Sequence, residues 1–177
     1  MNAAGGENEG DGPGRGMRPT WGRQPLIAAA MLNPALISAV LATAADGHQK
    51  EAEQGMPWSL SFIVAPLVLH RGTRQALPGT KSTHLTTWLT RNAALRVGFP
   101  HRARALVDPV RQGLQFGLTH GVVMLEADRL NGRVRRPRGF RPPDELDEIL
   151  RKASFVGRWL ARTGSTATVF AVFGVAP

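Results

Sequence analysis

Apolar residues recur along this chain at helical spacing, and glycine, proline and polar runs divide it into short elements. Residues Met1 to Pro19 are glycine-rich and polar and have little to bury, so they read as a disordered tail, with Trp21 the first anchor. Asn33 then caps a helix with Pro34 at its first position. Leu36, Ile37, Val40 and Leu41 supply the apolar stripe, and Gly47 reads as the stop. His48 to Gln54 follows as a polar connection. Pro57 opens Trp58 to His70, which is hydrophobic nearly all round, as suits a helix at the centre of a fold. Pro66 inside it is expected to kink or divide it. Gly72 and Pro78-Gly79 are breaks, and Ser82 is placed to cap a helix carrying Leu85, Trp88 and Leu89.

The second half begins with a short basic helix, Phe99 to Val107. Asp108-Pro109 reads as a fresh cap and first turn, because a residue before proline avoids the helical region. The next helix runs to about His120 with Val110, Leu114 and Leu118 on one face. Gly113 and Gly117, four apart, predict a close helix contact, and Gly121 a stop. Val122 to Glu126 is β-branched and apolar. Asn131-Gly132 is a strong turn dipeptide, so Arg133 to Arg136 is expected as the return strand of a hairpin. After Pro142-Pro143, Asp144 caps helix 145–163, with Leu146, Ile149, Leu150, Ala153, Val156 and Leu160 as its main stripe. Phe155 and Trp159 form a second ridge with Arg158 between them, marking either the centre of the core or a docking ridge. Gly164 stops this helix and Ser165 caps a last segment, Ala167 to Phe173. No internal repeat occurs. The expected fold is mainly α with one β-hairpin, a minor α+β element. It forms a single helical domain over 20–177, with a winged-helix-like order in residues 82–136.

Charge sharpens this picture. The formal charge is +9, and arginine outnumbers lysine 19 to 3, a bias that a GC-rich genome would also produce. From Arg91 to Arg141 eleven arginines face only Asp108, Glu126 and Asp128, a net of +8. Arg102, Arg104, Arg111, Arg133, Arg135, Arg136 and Arg138 are the candidate basic surface. Its counterpart is a phosphate backbone or an acidic protein face. In a winged-helix reading the second helix presents Arg111, Gln112 and Gln115 to a groove, while Arg133, Arg135, Arg136 and Arg138 form the wing. By the two-residue period of a strand, Arg133 and Arg135 share a face and Arg136 takes the other. The same helix–helix–hairpin order equally supports a protein interface, since no base-reading signature is present.

Chemistry by side chains is sparse. Cysteine is absent, which removes disulfides, thiolate ligands and a thiol nucleophile and suits a reducing compartment. The five histidines include no i, i+4 pair for zinc. Asp46, His48, Glu51 and Glu53 cluster on the polar connection and read as solvated. Gly79-Thr80-Lys81-Ser82 is similar to the end of a phosphate loop, but threonine separates glycine from lysine and Arg74 stands where an earlier glycine belongs. It reads as a turn before a cap. No Gly-x-Ser-x-Gly elbow and no carboxylate pair suggests catalysis. No catalytic residue, cofactor or metal is therefore expected. The N-terminus lacks the basic and apolar regions of a signal peptide. The uncharged run Gln24 to Ala45 is 22 residues long, but Asn33-Pro34 and its alanines suit a buried soluble element better than a membrane span. A cytoplasmic protein with no membrane contact is expected.

Several stretches together resemble the middle component of bacterial three-component ABC systems. They are Leu32-Asn33-Pro34, Gly55-Met56-Pro57 running into Ser61 to His70, and Arg151 to Leu160, with the ending Gly174-Val175-Ala176-Pro177. Phe155-Val156-Gly157-Arg158-Trp159 is the most specific part, with that ending. The resemblance spans about Trp21 to Pro177. It implies a non-enzymatic adaptor working with an ABC-type ATPase and an effector-bearing subunit against phages or mobile elements. It supplies no functional residues. The alternatives are a winged-helix-like DNA-binding regulator, with nucleic acid meeting Arg91–Arg141, and an enzyme whose site assembles only in the fold.

Overall fold

A computed structural model describes residues 32–134 and 138–176. The proposed tail, Trp21, Arg135 and Arg136 lie outside the described residues. The elements are helix α1 (Pro34–Ala52), a two-residue strand β1 (Met56–Pro57), a 3-10 turn (Trp58–Leu60), and helices α2 (Ser61–Leu69) and α3 (Arg71–Ala76). Helices α4 (Leu85–Arg91), α5 (Ala93–Ala105) and α6 (Val107–Thr119) follow. Strands β2 (Val123–Glu126) and β3 (Arg129–Gly132) precede helices α7 (Asp144–Ala161) and α8 (Thr166–Phe173). The fold is mainly helical with a small antiparallel sheet of order β1-β3-β2.

Helix α1 is the axis. The Asn33 side chain accepts from Ala35 N at 2.9 Å, and Pro34 begins the helix. Its residues are small, and Ile37 to Ala45 are buried on nearly every side. Small residues let neighbouring backbones come close, which accounts for glycine at each crossing. A Cβ on Gly157 of α7 would strike Ala44 O, and one on Gly47 would strike Ser154 O, so α1 and α7 pack backbone to backbone. Gly113 and Gly117 of α6 sit against Ile37 and Ser38, as their four-residue spacing predicted. Gly47 is consequently an interior residue rather than a stop. The helix continues through His48 to Ala52 and ends on Glu53 at φ 58°. His48 is buried, not solvated, and its Nδ1 lies 3.2 Å from Gln54 O.

The hairpin also differs from expectation. Its loop is Ala127-Asp128, with Ala127 at φ 53°, and the register pairs Glu126 with Arg129 and Met124 with Asn131. Asn131-Gly132 is therefore part of the return strand. Gly132 is required there because a Cβ would run into Ala42 O of α1. Glycine marks both turns and close approaches, and here the second meaning holds. The return strand stops at Gly132, so Arg133 lies beyond it rather than within it.

Smaller shifts have local causes. Pro66 lies inside α2 without dividing it. His84 rather than Ser82 precedes α4. The basic helix starts at Ala93 and carries Pro100 within it. Pro143, not Asp144, is the cap of α7, so Asp144, Glu145 and Asp147 lie in its first turn, where the helix dipole favours acids. Gly164 (φ 86°) and the Ser165 cap of α8 fall where the sequence places them.

Arg74 joins two parts of this body. It is 1% exposed, and its guanidinium donates to Val68 O at 3.0 Å, at the C-terminal end of α2. It also meets Glu145 at 3.2 Å and Glu148 at 3.5 Å, on the first turns of α7. A buried cation is thus held by carbonyls left open at a helix end and by two carboxylates, although its Nε, 3.5 Å from Glu148, makes no hydrogen bond among the described residues.

Candidate interaction surface

The arginines of residues 91–141 divide by environment. Arg102 is half-buried on α5. It donates to Leu95 O at 2.7 Å and lies 5.9 Å from the Phe99 ring centroid, and burial pulls its pKa down. Arg111 is exposed and faces Asp108 at 3.4 Å, a contact between two solvated groups that contributes little. Arg91, Arg96, Arg104, Arg133, Arg138 and Arg141 are exposed, and their side chains have no ion pair or hydrogen bond with a described residue. Most described carboxylates, by contrast, are already engaged. Asp46 holds Lys50, Glu51 holds Lys81 and Arg162, Asp128 meets Arg129, Glu145 and Glu148 meet Arg74, and Asp147 holds Arg151. Among the described residues the surplus of positive charge has no counterpart.

Position matters as much as pairing. Arg133 follows β3, its N–H donating to Val122 O at 2.8 Å, so it stands at the base of the hairpin beside the end of α6. The hairpin tip carries Glu126, Ala127 and Asp128. Exposed apolar side chains accompany the arginines: Leu118 at the end of α6, Leu125 on β2, and Val134 and Phe140 in the segment beyond.

The ridge on α7 resolves differently. Trp159 is 1% exposed. Its indole donates to Thr83 O at 2.7 Å and meets Trp88 edge-on, with ring centroids 5.3 Å apart. Trp88 in turn donates to Ala76 O at 2.7 Å. Two indoles therefore fasten the 76–84 connection to α7, and Trp159 belongs to the core. Phe155 is half-buried and stacks on Trp159 at 6.3 Å. Arg158 is exposed, with its guanidinium 3.2 Å from Ser154 Oγ.

A cleft of about 300 Å³ opens between the start of α4 and the α7–α8 junction. Lys81, Thr83, His84, Arg162 and Thr163 are among its lining residues. Lys81 and Ser82 of the Gly79-Thr80-Lys81-Ser82 segment line it, and the segment is folded by contacts among the Thr80, Ser82 and Thr83 hydroxyls. Lys81 and Arg162 both bind Glu51, and the hydrogen bond from Lys81, followed by that from Arg162, holds the Glu51 carboxyl below the usual glutamate range. The two cations here serve to tie α1 to the far end of α7. Nothing in the sequence marked Glu51 as this hub, because its partners stand 30 and 111 residues away. Among the described residues no group of three or more histidine, aspartate or glutamate side chains is placed to hold a metal, and no helix is long and apolar enough to cross a membrane.

The sequence matches a family model described as ABC-three component (ABC-3C) system Middle Component 3, over residues 21–177. No curated protein and no solved structure matches.

Proposed function

The chain belongs to the ABC-three component system Middle Component 3 family, and from that premise we propose that it is a non-enzymatic adaptor. It couples an ABC-type ATPase to an effector-bearing subunit in a cytoplasmic system directed against phages or mobile elements. The observation that carries the reading is the set of exposed arginines without a partner among the described residues, together with the exposed apolar Leu118, Leu125, Val134 and Phe140. Arginine beside exposed apolar groups is the composition of a protein interface, with the charge steering association and the apolar groups supplying burial. The partner face is acidic.

The helix–helix–hairpin order, with Arg111 and Gln115 exposed on α6, favours duplex binding as the second reading. The hairpin counts against it. Its tip is Glu126 to Asp128, where Arg129 is already paired with Asp128, so it offers phosphates like charge, while the unpaired Arg133 lies at the base.

Co-expression of the chain with the ATPase and the third subunit of its own system tests the adaptor reading. A complex that survives gel filtration and requires this chain to hold the other two together is the expected result. The other two assembling equally well without it would overturn the reading.

A further inference from the structure

The sheet stops one strand early. Met56, Leu130 and Leu125 lie opposite one another across β1, β3 and β2, so they share a face. That face is the one turned toward α1, since Gly132, two residues from Leu130, abuts Ala42. Exposure along the row is 0% at Met56, 1% at Leu130 and 48% at Leu125. Leu125 thus points the way core residues point, and no strand among the described residues lies beyond it. Leu118, at the end of the helix packed against β2, is 43% exposed.

The backbone has the same deficit. Antiparallel pairs alternate between those that exchange hydrogen bonds and those that do not. The bond from Arg133 N–H to Val122 O fixes the phase. Residues 124 and 126 therefore direct their N–H and C=O groups at β3, and Val123 and Leu125 direct theirs outward. Those outward groups have no hydrogen-bond partner among the described residues. Edge strands are normally blunted by lysine, proline or a bulge. Val123-Met124-Leu125-Glu126 has none of these devices, and its one charge is at the tip.

We infer that the outer edge of β2, centred on Leu125, accepts an extended segment of a partner subunit as a fourth strand. This rests on the adaptor reading and gives it a mode of contact. The added strand bonds main chain to main chain at Leu125, as in other strand additions. It sets an apolar side chain over Leu125 and Leu118, which extends the Met56–Leu130–Leu125 row. Its flanks are acidic, because Arg133 stands at the base of β2 and Arg138 and Arg141 follow it in the chain, all without a partner among the described residues, whereas most carboxylates of the body are already engaged. Charge complementarity and continuity with the basic surface select a partner segment over a second copy of this basic chain.

The test uses the full chain, isotope-labelled, alone and in complex with the ATPase and third subunit. Alone, the Leu125 amide should exchange with solvent much faster than those of Met124 and Glu126; in the complex it should become protected. Leu125→Lys should leave the fold intact, since the side chain is already half in solvent, and should weaken assembly by about tenfold or more, as inward charge on an edge strand does. A wild-type complex in which the Leu125 amide still exchanges freely, or one that Leu125→Lys leaves unchanged, would overturn strand addition while sparing the adaptor reading. Failure of the wild-type chain to bind either subunit would overturn both. Protection already present in the free chain and lost on deleting residues 1–31 would assign the edge to the chain's own N-terminal segment, and protection that tracks dimerisation would assign it to a second copy; either contradicts a partner segment.

Discussion

Truncating Trp159 should unfold the chain or come close to doing so. The side chain is 1% exposed, packed edge-on to Trp88 and stacked on Phe155, and its indole N–H is the donor to Thr83 O. Removing a buried tryptophan costs about 3–5 kcal/mol through lost burial and the cavity that remains. The stranded Thr83 carbonyl and the lost edge-on pair place Trp159→Ala at the upper end of that range. A domain of this size has about 5–15 kcal/mol in total, so the variant should lose a large part of it. Trp159→Phe isolates the hydrogen bond and some volume and should cost about 1–3 kcal/mol. Phe155→Ala, at a half-buried site, should cost less than Trp159→Ala. Urea titrations followed by far-UV circular dichroism would rank the three variants. Trp159→Ala with an unchanged midpoint, combined with lost assembly, would show that the tryptophan is a docking residue and that the packing described for α7 is wrong.

Gly132→Ala should destabilise strongly or prevent folding, because its Cβ would meet the α1 backbone at Ala42; a thermal midpoint equal to wild type would return Asn131-Gly132 to a turn. Arg74→Met should cost about 1–3 kcal/mol in chemical denaturation because Val68 O and Leu69 O lose their donor. Glu145→Gln should cost under about 1 kcal/mol, since its carboxylate is largely solvated and Glu148 remains; equal losses would contradict this division. Burial lowers the pKa of His48 from its ordinary 6.5, so the unfolded chain takes up the proton first. Stability should therefore fall as pH drops through about 6.5 and level off below the folded-state pKa, with a share of the same sign from His70. His48→Gln should flatten the melting-temperature profile over that window, and an unaltered slope would contradict the assignment.

The ends of helices were legible wherever one residue had one meaning. Asn33-Pro34, Gly121, Gly164 and Ser165 all sit at helix boundaries for the local reasons that their side chains or backbone angles supply. Gly113 and Gly117 were readable because a four-residue spacing on a helix admits one interpretation. Gly47 and Gly132 were not. A helix stop, a turn and a close backbone approach all call for glycine, and only the presence of α7 and α1 opposite decides among them. The true loop, Ala127-Asp128, gives no signal because alanine at positive φ is uncommon. Arg74 and Glu51 escaped for another reason: their partners are remote in sequence, and no local pattern distinguishes a buried cation from a solvated one. The basic stretch was visible as composition, but its division into a tucked Arg102, a paired Arg111 and an exposed set without partners among the described residues, with Arg133 at the hairpin base, required the fold.

The central claim, that these arginines meet an acidic protein face, is tested most directly by changing Arg133, Arg135, Arg136 and Arg138 together to alanine. Assembly with the ATPase and third subunit, and affinity for an arbitrary DNA duplex across a range of salt, are then measured on the same preparation. Salt alone cannot discriminate, because both kinds of contact weaken with it. The account predicts weakened assembly with duplex affinity and its salt slope nearly unchanged. An intact complex alongside lost duplex binding, with the slope of log K against log salt flattened by roughly one unit per phosphate contact removed, would contradict it.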